Sequence, residues 1–399
     1  MVRPELMIFE PYSGGHRSEY VCHLLRAWRD LRCSGRVIIA TPAGLLQEQP
    51  GLSAGLLDGS WAEELSFGDL SKEGSPGLFA LGCRNARLLR TLILQHKPRR
   101  VLAMYFDHLQ LGMALGLRFD FDVRISGILF RPTIHYSDSR VLSRGWFRAR
   151  QKRLFLRLAA ANRHMGTLFS LDETAVPGLR RVGFHRTIAL PDPVATPSEG
   201  LGFSDIRALY QIEAGRRVWT LFGVIDLRKG VRQVLEALSH MEAAEVSQIC
   251  LVLIGLQSGA VKEGLSGWSA AAVGKGLQLV VDDRRVSSKE VQDTFAASDL
   301  ILAPYQNHVG SSGILMRAAA AGRPVLSQSY GLMGFNVNTY KLGLVADTQN
   351  PKALLVAMRR FLAEPRAGFN PIDAQGFASA NTPAAFAAVL LGNMGILKP

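Results

Sequence analysis

Cysteine is scarce. Cys22, Cys33, Cys83 and Cys250 are the only four in 399 residues, and they stand far apart with no C-x-x-C pair. That spacing speaks against a paired-cysteine zinc site and offers no disulfide framework, so a reducing compartment and four small buried thiols are expected. No apolar run approaches the roughly 18 residues that span a bilayer. The opening Met1-Val2-Arg3-Pro4-Glu5-Leu6 has no apolar stretch of leader length and runs directly into a strand pattern, so a cytoplasmic protein is expected. The G-x-x-x-x-G-K-[ST] phosphate loop is missing as well. Acidic residues are in the minority, 33 Asp and Glu against 46 Lys and Arg, for a formal charge of +13. Such an excess points to an anionic partner: a nucleoside diphosphate, a nucleic acid or an anionic lipid surface. No recognised nucleic-acid motif accompanies it, and no nucleic-acid partner is expected.

What the chain does contain is globular in composition, 48% hydrophobic and 20% charged. Its length exceeds what one core usually serves, so two domains of about 150 to 200 residues each are expected. Short apolar runs at 6–10, 36–40, 100–105, 123–130 and 166–170 read as strands, and segments such as 18–29 and 86–95 between them carry helical spacing. Leu190-Pro191-Asp192-Pro193-Val194 breaks the pattern with a stiff turn before a polar stretch. A second series then begins, with strands expected at 218–222, 250–254, 278–281, 300–303 and 324–327. Strand and helix in alternation signify an α/β fold with parallel sheets covered on both faces. The expected organisation is a Rossmann-like domain over 1–190, a linker over 191–200, a second Rossmann-like domain over 201–375, and an Ala-rich C-terminal helix within 376–399 that packs on either domain.

Ligands of open parallel sheets sit outside the carboxyl ends of the strands, which directs attention to the loops there. Ser13-Gly14-Gly15-His16 follows the first strand and opens a helix near Arg17, so its glycines admit close backbone approach and the helix start offers N–H groups to an anion or sugar hydroxyl. A plain tight turn with a structural histidine is the alternative. Arg228-Lys229-Gly230 follows the first strand of the second half and precedes a helix expected over 231–239, which puts two cations where a diphosphate would be held. A solvated surface pair is the alternative there. His308-Val309-Gly310-Ser311-Ser312-Gly313 would expose successive amides and hydroxyls at the start of a helix over 314–321, with Gly322-Arg323-Pro324-Val325 returning the chain to a buried strand. In the first half, Phe106-Asp107-His108 and Phe130-Arg131-Pro132 follow strands. Asp107 and His108 are candidates for proton transfer, and Arg131 for orienting an acceptor; a helix-capping aspartate and a packed histidine are the alternative. Asp120-Phe121-Asp122 precedes its strand instead of ending it, and Asp282-Asp283 is better placed to flank a nucleobase, so no metal is expected.

Arg228-Lys229-Gly230, Ser298-Asp299-Leu300, Ala303-Pro304-Tyr305, Gly310-Ser311-Ser312-Gly313 and Ala320-Ala321-Gly322-Arg323-Pro324-Val325 together resemble the ordered C-domain motifs of GT-B glycosyltransferases, nearest the retaining family 4, also called group 1. The clear likeness covers 219–347, about a third of the chain. It implies two Rossmann-like domains facing a central cleft, and transfer of a sugar from a nucleotide-diphosphate sugar to a hydroxyl acceptor in polysaccharide or glycolipid biosynthesis. It also implies retention of configuration and no cofactor or metal. Lys229 and Arg228 would neutralise the diphosphate, with Lys229 taking part in catalysis, while Gly14, Gly15, His16, His308, Gly310, Ser311, Ser312 and Gly313 complete the donor site. Two departures stand out. Val224 occupies the place of a usual basic residue, and Val309 and Arg317 replace the paired glutamates that the family sets eight residues apart. A GT-B-like protein that binds nucleotide or glycan without turnover, or a GT-B-shaped sugar-nucleotide epimerase, would also account for these residues.

The segment 140–163 interleaves Arg140, Arg144, Arg148, Arg150, Lys152, Arg153, Arg157 and Arg163 with Trp146, Phe147, Leu154, Phe155 and Leu158. As a helix it carries an apolar strip flanked by cations, which suits either an anionic membrane surface on the cytoplasmic side, with a lipid-linked acceptor, or a sheet-covering helix with solvated arginines.

Overall fold

A computed structural model describes residues 3–13, 17–46, 61–69, 78–132, 146–194 and 205–397. The chain divides into two compact units, one made of 1–193 with 383–399 and the other of 194–382.

In the first unit, β1 (Leu6–Phe9), β2 (Val37–Pro42), β3 (Ala62–Phe67), β4 (Arg100–Ala103), β5 (Arg124–Leu129), β6 (Met165–Ser170) and β7 (Thr187–Ala189) form a seven-stranded sheet in the order β3-β2-β1-β4-β5-β6-β7. Every pairing is parallel. Alternation along β1 sends Leu6 and Ile8 into a core with Tyr20, Leu24 and Trp28, and Met7 and Phe9 into a second core with Leu89, Ile93 and Phe106. Both faces are thereby buried, as a sheet flanked by crossover helices requires. The helix Pro383–Asn393 belongs to this unit. Its Phe386 ring lies 5.1 Å from that of Tyr20 in the helix Arg17–Asp30. Beyond it, Arg100 Nε donates to the Met394 carbonyl at 2.7 Å, and Thr167 Oγ1 to that of Asn393 at 3.1 Å.

The second unit repeats the plan with β8 (Arg217–Phe222), β9 (Ile249–Ile254), β10 (Gln278–Asp282), β11 (Leu300–Ala303), β12 (Val325–Gln328) and β13 (Gly343–Ala346), ordered β10-β9-β8-β11-β12-β13 and parallel throughout. Trp219, Leu221, Leu300 and Leu302 fill one core, and Ile301 and Ala303 face the other. Strands β3, β7 and β13 lie at sheet edges and go beyond the runs anticipated from sequence. The Ala-rich segment 377–391 is not one helix. Pro371–Ala380 ends at Asn381, and a new helix starts at Pro383, whose missing N–H and ring cannot continue the first. Cys22 and Cys250 are buried, whereas Cys33 and Cys83 are only half-buried. Among the described residues, no helix is long and apolar enough to cross a membrane.

Candidate functional site

Strand order reverses between β1 and β4 in the first sheet and between β8 and β11 in the second. Loops on either side of such a point diverge and leave a crevice at the carboxyl ends of the strands. Arg228, Lys229 and the 310–313 loop follow the strands of the second reversal, and Asp107 and His108 follow β4 at the first.

In the second unit, β8 leads into Gly223, whose φ of +112° favours glycine and where an added Cβ would lie 3.2 Å from Lys229 Nζ. The 3-10 turn Leu227–Lys229 ends at Gly230 in the left-handed region, φ +74°, where a Cβ would stand 2.2 Å from the Pro304 carbonyl oxygen. Glycine is therefore required by dihedral and neighbour alike. The close approach joins this loop to the one after β11, and Gln306 N donates to the Arg228 carbonyl at 2.7 Å.

Lys229 points inward and is only 6% exposed. Its Nζ donates to the Phe222 carbonyl at 3.2 Å and to the Tyr305 hydroxyl, and it lies 4.2 Å from the Tyr305 ring centroid. Burial and then the charge of Arg228 pull its pKa from 10.5 down to about 7, against a smaller opposing pull from Asp226. An ammonium has three hydrogens, and the third has no partner among the described residues. Arg228 is exposed beside it, with Cζ 5.3 Å from the same ring centroid and Nε 3.7 Å from Asp226. Tyr305 is buried, which raises its phenol to about 12, and its hydroxyl lies 3.0 Å from Ser312 Oγ.

Ser312 stands at the N-cap of the helix Gly313–Ala320 in extended conformation, yet its side chain makes no capping bond; it turns to Tyr305 instead. His308 Nε2 donates to the Ser311 carbonyl at 3.0 Å, and its ring lies 5.2 Å from that of Tyr305. Gly310 is buried, whereas Ser311, Ser312 and Gly313 are partly exposed. Val309 and Arg317, the departures from the glutamate pair, are both half-buried, and Val224 is 62% exposed. Asp282 and Asp283 end β10 in contact with cations: Arg284 Nε is 3.0 Å from Asp282, and Lys262 Nζ is 2.5 Å from Asp283.

In the first unit, the reversal brings Tyr12, after β1, against His108, after β4. The Tyr12 hydroxyl lies 2.7 Å from His108 Nδ1 and accepts from Asn85 Nδ2 at 2.6 Å. Tyr12 N is tied to the buried carboxylate of Glu10 at 3.0 Å. Asp107 reaches the loop after β5, accepting from Phe130 N at 2.8 Å and Arg131 N at 3.0 Å. Arg131 is exposed. Gly14, Gly15 and His16 lie outside the described residues, as does 140–145 of the basic segment. The helix Trp146–Ala160 follows, and on it Leu154 and Leu158 are 55% and 44% exposed, beside exposed Arg153 and Arg157.

The structure thus joins Lys229, Arg228, His308 and Ser312 through a residue that the sequence reading left inside a motif, Tyr305. Tyr12, the partner of His108, and Asn85, which donates to Tyr12 from the helix Leu78–His96, carry no local sequence signal; the adjacency of β1 and β4 brings Tyr12 to His108.

Residues 216–364 match the family model described as Glycosyl transferases group 1. No curated protein sequence matches the chain. Among solved structures, the sucrose-phosphate synthase of Thermosynechococcus elongatus is 16% identical with a TM-score of 0.70, the match covering 99% of this chain and 98% of that one. Trehalose-6-phosphate synthase OtsA is 12% identical with a TM-score of 0.70, covering 100% of both chains. HepE of Anabaena, solved in complex with UDP and glucose, is 14% identical with a TM-score of 0.65, covering 99% of this chain and all of that one. The chain has the fold of the GT-B glycosyltransferases, and its residues 216–364 are similar to the glycosyl transferases group 1 family.

Proposed function

We propose that this protein transfers a glycosyl group from a nucleoside-diphosphate sugar to a hydroxyl acceptor, and that the switch point of the second sheet holds the donor diphosphate. The observation that carries the reading is the buried Lys229 ammonium, with one hydrogen unpartnered among the described residues, next to Arg228 and the 310–313 loop within the group 1 segment. A charge buried at such cost is uncommon unless a partner of opposite sign completes it. The leaving diphosphate would be stabilised by Lys229, Arg228, the hydroxyl of Ser312 and amides at the start of the Gly313–Ala320 helix. On this reading the cations supply the countercharge and no metal takes part. Retention of configuration follows from the resemblance to family 4. His108 is the candidate for proton movement at the acceptor. Asp107 shapes the loop that carries Arg131, through its two backbone bonds.

The test is calorimetric titration of the full chain with UDP, GDP and ADP, followed by donor turnover with the sugar nucleotide of the base that binds. Nucleotide binding with transfer supports the reading. Binding without turnover leaves a nucleotide-binding protein of this fold, and binding of none of the three removes the donor site.

The exposed leucines between arginines on the helix Trp146–Ala160 favour a lipid-linked acceptor in polysaccharide or glycolipid synthesis, presented at an anionic membrane surface. Co-sedimentation with vesicles of phosphatidylglycerol, and not with phosphatidylcholine alone, is expected, and it is expected to be lost in the Arg153→Glu, Arg157→Glu double variant. Equal sedimentation of that variant would return this face to plain solvated surface.

A further inference from the structure

The two loops of the candidate donor site share one side chain. Tyr305 closes the segment after β11, and its hydroxyl lies within hydrogen-bond reach of both Lys229 Nζ, from the loop after β8, and Ser312 Oγ, from the start of the Gly313–Ala320 helix. An ammonium can only donate, so the phenol oxygen accepts from Lys229. The phenol is neutral across the physiological range, and among the described residues the acceptor within reach of its own hydrogen is Ser312 Oγ, 3.0 Å away. Ser312 accepts that hydrogen and keeps its own hydroxyl hydrogen for another acceptor, and its side chain is not spent on capping its helix. His308 lies edge-on to the ring at 5.2 Å, and the backbone of Tyr305 is held where its carbonyl accepts from Thr348 Oγ1 at 3.0 Å.

We propose that Tyr305 is the positioning residue of the phosphate site: it orients Lys229 and Ser312 through one hydroxyl, so that one ammonium hydrogen and one hydroxyl hydrogen are presented together to a nucleoside diphosphate. The proposal rests on the donor-site reading above. The relay is directional, from Lys229 to Tyr305 to Ser312, and chains of this kind polarise each member. It also couples the site to pH. Besides Tyr305, the charged and titratable groups facing Lys229 are Arg228 and Asp226 on its own loop, with His308 across the ring. Removing the phenol hydroxyl takes an acceptor from the ammonium, so Lys229 would give up its proton at a lower pH.

Inorganic pyrophosphate is the probe, since it needs no nucleobase, with UDP alongside; affinities of the full chain are measured by calorimetry from pH 6 to 9. Tyr305→Phe keeps the ring and its packing. It is expected to bind about tenfold more weakly, the loss of one charge-assisted bond, and to lose affinity at a lower pH than the wild type. Ser312→Ala is expected to weaken binding while leaving the pH of the step in place. The Tyr305→Phe, Ser312→Ala double variant is expected to lose less than the product of the two single losses, because both cut the same relay. Lys229→Arg is expected to show only the step set by ionisation of the phosphate probe itself; a further step that persists there does not come from Lys229 and overturns the coupling. Wild-type affinity and pH dependence in Tyr305→Phe, alongside abolished binding in Lys229→Ala, would refute the role of Tyr305 and leave the donor site standing. Undiminished binding in Lys229→Ala would remove both. If Tyr305→Phe fails to fold, judged by thermal unfolding, unchanged affinity in Ser312→Ala overturns the relay by itself.

Discussion

Replacing Lys229 with methionine sets the cost of the site against its use. The side chain is almost wholly buried, and burial together with Arg228 brings its pKa down from 10.5 to about 7. A fall of that size corresponds to a penalty on the order of 5 kcal/mol for the charged form, at about 1.4 kcal/mol per tenfold change. Below pH 7, Lys229 is protonated in both folded and unfolded chains and the whole penalty is present. Between about pH 7 and 10.5 the unfolded chain holds a proton that the folded one has released, so this lysine makes stability rise with pH across that window. Methionine has a similar stem and no charge. It removes the penalty but takes a donor from the Phe222 carbonyl and from the Tyr305 oxygen, which keeps its bond to Ser312, at about 1 kcal/mol each. The net expectation at pH 6 is a variant more stable than wild type by roughly 2 to 3 kcal/mol, an advantage that shrinks toward pH 9, with diphosphate binding lost. Urea unfolding at pH 6, 7.5 and 9, fitted for the second unit, measures it. A variant less stable than wild type at pH 6, or a difference that does not change with pH, would refute the reasoning.

Binding of a diphosphate should reverse the depression of the Lys229 pKa, so at pH 8 complex formation is expected to take up a fraction of a proton approaching one; titrations in buffers of different ionisation enthalpy count it. Gly230→Ala forces a side chain into a left-handed residue against the Pro304 carbonyl, and is expected to cost on the order of 3 kcal/mol, about 10 °C in the Tm of the second unit by scanning calorimetry. Asp107→Ala takes the acceptor from the part-buried Phe130 amide, while the exposed Arg131 amide turns to water, and is expected to destabilise the first unit by about 1 to 2 kcal/mol in denaturant unfolding, with Asp107→Asn milder because one acceptor remains. Lost turnover at unchanged stability in those two variants would instead make Asp107 a proton-transfer group.

The central strands were legible because a strand covered on both faces must be apolar at successive positions. Ile249–Ile254 is buried at all six, and its sequence is a continuous apolar run. Ala62–Phe67 is an edge strand whose burial lapses after the first residue; Ala-Glu-Glu-Leu-Ser-Phe has neither an apolar run nor clean alternation. Thr187–Ala189 and Gly343–Ala346 are edges too short to show a period at all. The site divides along a similar line. Arg228, Lys229, Gly230 and the 310–313 loop are readable because their chemistry is local: cations and glycines at the start of a helix. Tyr305 is not, since a tyrosine after a buried strand looks like core, and its meaning comes from Lys229 and Ser312 arriving from elsewhere in the chain. Asp107 gives the same lesson from the other side: next to His108 it suggests proton chemistry, whereas its carboxylate is bonded to amides 23 and 24 positions along.

The return of the helix Pro383–Asn393 to the first unit has a consequence for how the molecule is made. The helix Arg17–Asp30 and the start of β4 are synthesised early, but the residues that cover them, Phe386, Met394 and Gly395, follow only after the second unit has been made. The second unit, contiguous over 194–382, has all its residues available before the first unit can be finished. At about 5 to 20 residues per second, the seven-stranded sheet waits on the order of 10 to 40 seconds with one apolar surface unclosed. During that interval the nascent chain is open to chaperones and to aggregation, and a stop codon placed after Thr382 would make the condition permanent in the half of the protein farthest from it in sequence.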